Sequence, residues 1–471
     1  MDLWLRQQLS KHSPKLLFPL LRGYGFRYES LSSQIEEYTQ YYQSVEKVGK
    51  NQRVIVSDVN RPQFISKVGA LWELGAIPCL LSPSLKISTQ QYCRSLIQTF
   101  PFPSSNRYDD DKEALILFTS GTSSLNPKGV VLSHGNVLSQ LQTLDSVIPS
   151  TLLDENTRTV ALLPWTHCYG LIGECFMTIQ RGGQMHPISK YHPFRYWMAI
   201  QRMMPTTLFT VPAIVESLQR IHEQKLKPNV SKELAKRILL GPQIDHIVSG
   251  GATLPIYLKD YFFKEMGVPI LEGYGCTEMS PMIALQTEFS KEEKNVGKLL
   301  PGIDYKMSSH DGELWVRGPN RFLYYLSENG EDVASPPPSK ENELWYATGD
   351  RVNIVDQNVY LLGRRSDQVK TANGRFLRLQ EIENYVREYH FMSLSDIKKV
   401  CAWQHPKTGK IGVTLFVTLS EEQRPLNLYY ENLNLTIFYA PPSMLTLESG
   451  MMTQKGEVCR PVLAERFGSL L

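Results

Sequence analysis

Residues 53–82, RVIVSDVNRPQFISKVGALWELGAIPCLLS, decide the fold class. A β-rich run opens this stretch, a helical segment with Val68, Leu71 and Trp72 on one side follows, and a second apolar run closes it. The order strand, helix, strand predicts a βαβ unit. Because parallel strands need a crossover connection, the helix is expected to cover one face of the sheet.

The same alternation recurs further along the chain. Short apolar runs, each separated from the next by a helix-length segment, lie at 160–164, 207–211, 246–249 and 268–271. This pattern predicts an α/β fold in which helices cover mostly parallel sheets and ligands bind at the carboxyl ends of the strands.

Length and charge set broad limits on the function. With 471 residues, the chain is expected to fold into about two to four structural units, as in a multidomain enzyme. Lys and Arg number 50 against 47 Asp and Glu, so there is no electrostatic reason to expect nucleic acid as a partner.

Cysteine usage and hydropathy predict a cytoplasmic location. The seven cysteines are scattered and never spaced as C-x-x-C, which disfavours both a disulfide framework and a zinc site. The N-terminus does not resemble an export signal, and no run of about 18 apolar residues occurs. We interpret Leu16–Leu21 as a buried anchor of the first domain, with peripheral contact to a membrane surface as the alternative.

A domain boundary is expected after the strand-like sequence VYLL (359–362), where the chain turns polar and charged. We place it between residues 363 and 364, which gives an N-terminal domain of residues 1–363 and a small α+β C-terminal domain of residues 364–471. The proline-rich stretch 331–343 is interpreted as an exposed loop.

The segment TSGTSSLNPKGV (119–130) follows the apolar run 114–118 and suits phosphate binding. Glycines, hydroxyls and backbone N–H groups offer donors to an anion, and Lys128 adds a positive charge. The standard phosphate loop does not match, because no glycine precedes Lys128 and no hydroxyl follows it. From this segment alone, a plain surface loop remains the alternative.

Four further segments accompany this loop: LLPWTHCYG (162–170), IVSGGATLP (247–255), LEGYGCTEMSP (271–281) and LWYATGDRV (344–352). In this order, the five segments resemble the adenylate-forming superfamily, which includes acyl-CoA synthetases, acyl-ACP synthetases and aryl-CoA ligases. The resemblance implies a large N-terminal domain, a small mobile C-terminal domain and a two-step reaction. A carboxylate attacks the α-phosphate of ATP to give an acyl-adenylate and pyrophosphate, and a thiol then displaces AMP.

The resemblance also implies which residues meet the phosphates. Lys128 would offset their charge, Thr277 would hydrogen-bond the α-phosphate, and Glu278 would bind Mg²⁺ together with Thr122. The loop donors are Thr119, Ser120, Gly121, Thr122 and Ser123. For Glu278, capping of a helix is the alternative role.

The nucleoside and the acid are assigned in the same way. Tyr274 and Gly275 would pack on adenine, Asp350 would accept the ribose hydroxyls, and Arg364 would donate to the same sugar. The wall around the base would consist of Ser249, Gly250, Gly251 and Ala252. His167 is expected at the mouth of the carboxylate pocket. The alternatives are that Tyr274 and His167 only fill the core.

The closing segment, residues 448–463, departs from the family pattern. Relatives carry a lysine four residues after a threonine, where it bridges the carboxylate and the α-phosphate, and counting from Thr453 puts Glu457 there. A carboxylate would repel those oxygens. Either the loop is shifted so that Lys455 takes the catalytic role, or the first half-reaction is slow, as in a module that binds adenylate. The hinge position Ser366 is Asp or Lys in most relatives, and Asp367 is the neighbouring candidate.

The substrate is expected to be a fatty acid, because the closing segment and residues 369–383 look similar to those of long-chain acyl and acyl-ACP synthetases. The thiol acceptor would be CoA or acyl carrier protein. An aryl or o-succinylbenzoate-type CoA ligase is the alternative. The sequence leaves the oligomeric state open.

Overall fold

The structure is a computed structural model. It describes residues 1–13, 15–18, 26–99, 113–119, 127–225, 230–309, 312–326, 345–365, 368–370, 376–379, 382–383, 385–386, 397–404, 411–417, 426–430, 433–441, 444 and 460–468. The proline-rich stretch 331–343 lies outside these residues.

Helices and strands alternate through the first half of the chain, and strands dominate the second. The helices are α1 (Asp2–Lys11), α2 (Tyr28–Ser44), α3 (Pro62–Glu73), α4 (Ile87–Thr99), α5 (His134–Val147), a π-helix (Tyr169–Phe176), α6 (Met177–Arg181), α7 (Pro193–Met203), α8 (Pro212–Lys225), α9 (Lys232–Leu239), α10 (Ile256–Met266), a 3₁₀ turn (Thr277–Met279) and α11 (Arg460–Phe467). The strands up to residue 275 are β1 (Leu16–Phe18), β2 (Phe26–Arg27), β3 (Arg53–Val56), β4 (Ile77–Leu80), β5 (Glu113–Thr119), β6 (Lys128–Ser133), β7 (Arg158–Ala161), β8 (Gln184–Pro187), β9 (Thr207–Thr210), β10 (His246–Gly250) and β11 (Ile270–Gly275). The later strands are β12 (Met282–Leu285), β13 (Asn295–Leu299), β14 (Asp304–Met307), β15 (Glu313–Arg317), β16 (Tyr324–Leu326), β17 (Tyr346–Val355), β18 (Asn358–Arg364), β19 (Gln368–Lys370), β20 (Phe376–Arg378), β21 (Ile397–Gln404), β22 (Ile411–Val417), β23 (Leu426–Tyr430) and β24 (Leu433–Ala440).

The predicted βαβ unit is present as β3, α3 and β4. Pro62 occupies the first turn of α3, where its missing N–H costs no hydrogen bond. The helix buries Val68, Leu71 and Trp72, and the Trp72 indole donates to the Ala114 carbonyl over 2.7 Å. Since β3, β4 and β5 are parallel neighbours, this contact fixes the helix across the sheet.

A five-stranded sheet carries the start of the phosphate-loop segment. Its strand order is β16, β6, β5, β4, β3. β5 and β6 are antiparallel, with Thr119 opposite Lys128, so the loop between them joins two neighbouring strands. β16 arrives from far along the chain and pairs with the outer side of β6.

A nine-stranded sheet carries the other segments, in the order β14, β15, β17, β18, β13, β12, β11, β10, β9. β9, β10 and β11 are parallel and are joined through helices, whereas the neighbours from β11 to β14 pair antiparallel. The predicted α/β class is confirmed, but the sheets are mixed instead of mostly parallel. The reason is that strands after Met282 follow one another without the crossover helices that parallel pairing requires.

The apolar segment Leu16–Leu21 is buried, as predicted, at the two positions whose side chains are described. Leu17 and Phe18 are fully buried, and the Phe18 ring lies 6.2 Å from that of Trp165. In the described part of the chain, no helix is long and apolar enough to cross a bilayer. Cys79, Cys93 and Cys175 are buried free thiols.

The C-terminal residues form apolar clusters of their own. β21, β22, β24 and β23 make a four-stranded sheet, and one cluster joins Leu379 and Ile382 to its strands. A second cluster joins Trp403 and Phe438 to Leu463 of α11. The boundary at residue 363 stays a prediction; β18, the last strand of the nine-stranded sheet along the chain, ends at Arg364.

Candidate active site

Asp350 is held by two partners that the sequence assigns to the same nucleotide. The Tyr274 hydroxyl donates to its Oδ2 over 2.9 Å, and Arg364 Nε lies 3.3 Å from its Oδ1. The register of the sheet explains the ion pair, because Asp350 of β17 stands directly opposite Arg364 of β18. Both oxygens of the carboxylate are therefore oriented, and each retains capacity to accept another hydrogen bond.

A glycine sets the direction of Asp350 within β17. Gly349 has φ of 75°, in the left-handed region that side chains disfavour, and its N–H donates to Glu313 Oε1 over 3.0 Å. The Asp350 N–H donates to Thr348 Oγ1 over 3.1 Å. The strand is thus bent at the residue before the carboxylate.

The end of β10 meets the π-helix. The Tyr169 hydroxyl donates to the Val248 carbonyl over 3.0 Å, and a Cβ on Gly250 would lie only 3.1 Å from the Tyr169 ring. The Ser249 side chain is buried, and within the described residues its hydroxyl has no hydrogen-bond partner. Gly251 and Ala252 follow at the strand end, half-exposed, and Gly251 has φ of 80°.

His167 lies two residues before the π-helix and is half-buried. Gly170 permits the tight turn that follows, because a Cβ there would lie 2.7 Å from the Leu163 carbonyl oxygen and 2.6 Å from that of Pro164. The helix also faces the segment after β11, since a Cβ on Gly173 would lie 4.0 Å from Pro281. The structure therefore brings the His167 segment to β10 and to the Glu278 turn, while the role of His167 toward a carboxylate stays a prediction.

Lys128 and Glu278 lie on two sides of a single tyrosine. The Tyr325 hydroxyl donates to Glu278 Oε1 over 2.7 Å, and Lys128 Nζ lies 4.8 Å from the centroid of the Tyr325 ring. Thr119 is adjacent, as the cross-strand neighbour of Lys128. The five-stranded and nine-stranded sheets meet at this point.

Hydrogen bonds from Asn320 hold the 3₁₀ turn that carries Thr277 and Glu278 in place. The Asn320 amide donates to the Met279 carbonyl over 2.8 Å and to that of Met282 over 3.1 Å. A Cβ on Gly275 would overlap the Pro281 carbonyl oxygen, so only glycine fits there. The turn therefore holds Glu278 close to Tyr274 on the preceding strand.

Three tyrosines of the site keep their protons. Burial raises the pKa of Tyr274, Tyr325 and Tyr346 well above the usual value. Because these hydroxyls stay neutral, Tyr274 donates to Asp350 and Tyr325 donates to Glu278 throughout the physiological pH range. Cys276, between Gly275 and Thr277, packs against the apolar cluster around Tyr274.

Residues 97–326 match the family described as AMP-binding enzyme. This stretch makes up just under half of the chain, and over it the chain is similar to that family. It is 27% identical over 348 residues to the 4-coumarate–CoA ligase-like 2 of Arabidopsis thaliana, covering 68% of this chain and 57% of the relative. It is 25% identical over 287 residues to the long-chain-fatty-acid–CoA ligase of Bacillus subtilis, a match that covers 59% of this chain and 48% of the relative. The chain thus spans about half the length of the curated relatives it matches.

Solved structures with the same fold include complexes with ATP and with an acyl-adenylate. The ATP-bound MatB of Rhodopseudomonas palustris superimposes with a TM-score of 0.74 at 19% identity, covering 98% of this chain and 99% of the other. The o-succinylbenzoate CoA synthetase of Bacillus subtilis, in complex with its acyl-adenylate intermediate, superimposes with a TM-score of 0.74 at 19% identity. The match covers 98% of this chain and 97% of the other. The predicted fold, a large N-terminal region of helix-covered sheets with a small C-terminal one, is confirmed.

Glu278 is the candidate magnesium ligand among the described residues. Among the described residues, no three His, Cys, Asp or Glu side chains cluster as they would around a fully protein-bound ion. Mg²⁺ commonly uses one or two carboxylates, with phosphate oxygens and waters as its other ligands. Glu278, oriented by the Tyr325 hydroxyl, fits that requirement.

Several predicted site residues lie outside the described part of the chain. These are Ser120, Gly121, Thr122 and Ser123 of the loop, Ser366 and Asp367 at the hinge, and Lys455 and Glu457 near the C-terminus. Their roles stay predictions.

The sequence did not single out Tyr325, Tyr346 or Tyr169. Tyr169 and Tyr346 lie inside segments quoted for the family resemblance, but nothing in the pattern gave them a task. Tyr325 follows Tyr324 in a short apolar run, and such a pair places its two hydroxyls on opposite faces of a strand. Which face meets Glu278 depends on the pairing of β16 with β6, a contact between distant parts of the chain.

Proposed function

We propose that this protein is an ATP-dependent acid–CoA ligase that makes an acyl-adenylate and then transfers the acyl group to CoA. One observation carries the proposal: β11 and the turn after it hold Tyr274 against Asp350 and, four residues later, Glu278 against Tyr325, whose ring contacts Lys128. The carboxylate that would bind the ribose, Asp350, therefore lies near the residues that would bind the phosphates and the metal, Lys128 and Glu278, and ATP requires both kinds of site close together. The curated relatives named as CoA ligases support the same activity.

In the nucleotide half of the site, Asp350 would accept hydrogen bonds from the ribose hydroxyls while Arg364 and Tyr274 keep its oxygens aimed. Arg364 would donate to the same sugar. The adenine would lie against Tyr274 and Gly275, beside the wall formed by Ser249, Gly250, Gly251 and Ala252. Because the carboxylate is already oriented before the nucleotide arrives, little ordering cost remains for binding.

In the phosphate half, Lys128 would offset charge on the phosphates together with Thr119 and the loop donors Ser120, Gly121, Thr122 and Ser123. Thr277 would donate to the α-phosphate. Glu278, with Thr122, would hold Mg²⁺, which when bound neutralises phosphate charge and favours departure of pyrophosphate. His167 would lie at the entry of the acid. Lys455 would bridge the carboxylate and the α-phosphate during the first step.

For the acid itself, we propose a fatty acid, on the basis of the closing segment and residues 369–383. The printed names of relatives and neighbours include ligases for long-chain fatty acids, malonate and o-succinylbenzoate, so the family supports the reaction type more strongly than the chain length. An aryl or o-succinylbenzoate-type acid is the second choice. Acyl carrier protein is the alternative acceptor to CoA.

Glu457 favours a second function, that of a module that binds adenylate and turns over slowly. Exchange of labelled pyrophosphate into ATP separates the two. Purified protein with Mg²⁺, ATP and one acid at a time (dodecanoate, 4-coumarate, malonate or o-succinylbenzoate) is expected to show acid-dependent exchange, fastest with dodecanoate. ATP binding by calorimetry without exchange for any acid would contradict the ligase and support the module.

A further inference from the structure

Tyr325 connects the two charged groups of the phosphate half. It belongs to β16, where it stands opposite Val130 of β6, and its side chain is almost fully buried. Its hydroxyl donates to Glu278 Oε1 over 2.7 Å, and its ring lies beneath Lys128 Nζ at 4.8 Å. One side chain thus contacts β6 of the five-stranded sheet and the turn that follows β11 of the nine-stranded sheet.

The position of Tyr325 is itself fixed by neighbours. The hydroxyls of Tyr325 and Tyr346 are hydrogen-bonded to each other. Because the one proton of Tyr325 is donated to Glu278, Tyr346 is the donor in this second bond. The Phe322 ring lies 4.6 Å from the Tyr325 ring and 5.7 Å from that of Tyr346. Since the ring is packed and its hydroxyl both accepts and donates, neither can turn away without losing contacts.

This arrangement keeps a cation and a carboxylate apart. Within the described residues, Lys128 and Glu278 make no ion pair with each other; the lysine contacts the ring face and the glutamate contacts the hydroxyl. A direct ion pair would neutralise both groups and remove the charge that phosphates and a metal ion require. Tyr325 holds both by weaker, neutral contacts that leave their charges available.

We propose that Tyr325 is a positioning residue for the metal and phosphates: its hydroxyl orients Glu278 toward Mg²⁺, and its ring holds Lys128 for the phosphates. This inference rests on the proposed function. The two parts of the side chain act on different partners, so they are separable by substitution. Tyr325→Phe keeps the ring and removes the hydroxyl, whereas Tyr325→Leu removes both.

Tyr324 offers a matched control on the same strand. It is equally buried, and its hydroxyl contacts Glu113 and Arg53 on the other face of the sheet. Tyr324→Phe therefore removes a buried tyrosine hydroxyl of the same strand without touching Glu278 or Lys128. Any effect shared by Tyr324→Phe and Tyr325→Phe reports stability alone.

The experiment measures ATP affinity by calorimetry, with and without Mg²⁺, and the Mg²⁺ concentration for half-maximal pyrophosphate exchange. Tyr325→Phe is expected to raise that Mg²⁺ concentration by about tenfold or more, the usual effect of losing a group that orients a metal ligand, with little change in Mg²⁺-free affinity. Tyr325→Leu is expected in addition to weaken Mg²⁺-free ATP binding by about three- to fivefold, because the cation–π contact with Lys128 is lost. Tyr324→Phe should leave both quantities at the wild-type value.

The inference is overturned if Tyr325→Phe matches Tyr324→Phe in Mg²⁺ dependence, or if Tyr325→Leu binds Mg²⁺-free ATP as tightly as Tyr325→Phe. Failure of the proposed function looks different, since the wild-type protein itself would then show no exchange. In that case, the calorimetric comparison with and without Mg²⁺ still decides the role of Tyr325, because it does not need turnover.

Discussion

The carboxylate of Asp350 holds two other site residues, Tyr274 and Arg364, in place. It accepts from Tyr274 and pairs with Arg364, and its side chain is only 15% exposed. Removal of such an acceptor leaves a buried tyrosine hydroxyl and an arginine without their observed partner, a larger cost than the loss of a solvated ion pair.

We expect Asp350→Ala to weaken nucleotide binding by about 1–3 kcal/mol, which is roughly five- to 150-fold in Kd, because the ribose acceptors are removed together with the partner of Tyr274. Calorimetric titration with ATP measures this. Asp304→Ala is the control, since Asp304 also pairs with an arginine of the nine-stranded sheet, Arg317, but is 64% exposed. Equal affinity of both variants and the wild type would exclude Asp350 from the nucleotide site.

For single residues, the sequence predicts a role where the residue lies within a recognisable sequence motif. Tyr274 and Glu278 come from one such string, and the structure places them at one turn, each in contact with another site residue. Tyr325 could not be predicted, because its importance arises from a hydrogen bond to a residue 47 positions away.

The π-helix contacts β10 through Tyr169, next to the segment in which His167 is proposed to meet the acid. The same helix contains a buried carboxyl group, that of Glu174. Glu174 is completely buried; its Oε1 accepts from Thr159 over 3.1 Å, and within the described residues its Oε2 has no hydrogen-bond partner. Burial raises its pKa well above the usual value, so the group is kept neutral in the folded protein.

A carboxyl whose pKa is higher in the folded than in the unfolded chain stabilises the fold at low pH, and this contribution is lost as pH rises toward the folded pKa. The amide that replaces the carboxyl in Glu174→Gln cannot ionise, so the melting temperature of this variant relative to wild type should increase as the pH rises above the ordinary pKa range of a glutamate carboxyl. Thermal unfolding at several pH values checks this. Glu37→Gln, at an exposed position on α2, is the control for the substitution itself. A flat difference for Glu174→Gln would show that Glu174 is not neutral when folded.

Elements with a local signal were predicted well. The βαβ unit and the strands near 160, 207, 246 and 268 all appear, because their apolar periodicity and helix-length spacing are properties of contiguous sequence. The antiparallel half of the nine-stranded sheet was not predicted. β18 inserts between β13 and β17, and no local pattern specifies that order.

For the molecule as a whole, the proposed reaction requires the C-terminal region to supply Lys455. Lys455→Ala should abolish pyrophosphate exchange while preserving acyl-CoA formation from preformed acyl-adenylate, since different faces of that region would serve the two steps. Glu457→Lys should raise exchange if Glu457 occupies the usual lysine position. Measuring both half-reactions tests this: equal loss of both in Lys455→Ala would indicate destabilisation, and an unchanged Glu457→Lys would favour the shifted alignment.

The global arrangement was predictable mainly through family resemblance. Physical patterns alone gave the α/β class, whereas the meeting of the two sheets at Tyr325 and Glu278 depends on tertiary packing that the apolar pattern does not specify. The boundary at residue 363 is a prediction from composition.

The pairing of β16 with β6 has a consequence for the growing polypeptide. Tyr324 stands 211 positions after Glu113, to which its hydroxyl is bound across the five-stranded sheet. While the ribosome is still adding the intervening residues, β6 presents an outer edge of unsatisfied amide and carbonyl groups. We therefore expect nascent chains stalled before Leu326 to aggregate unless a chaperone shields that edge, and chains that have emerged beyond it to remain dispersed.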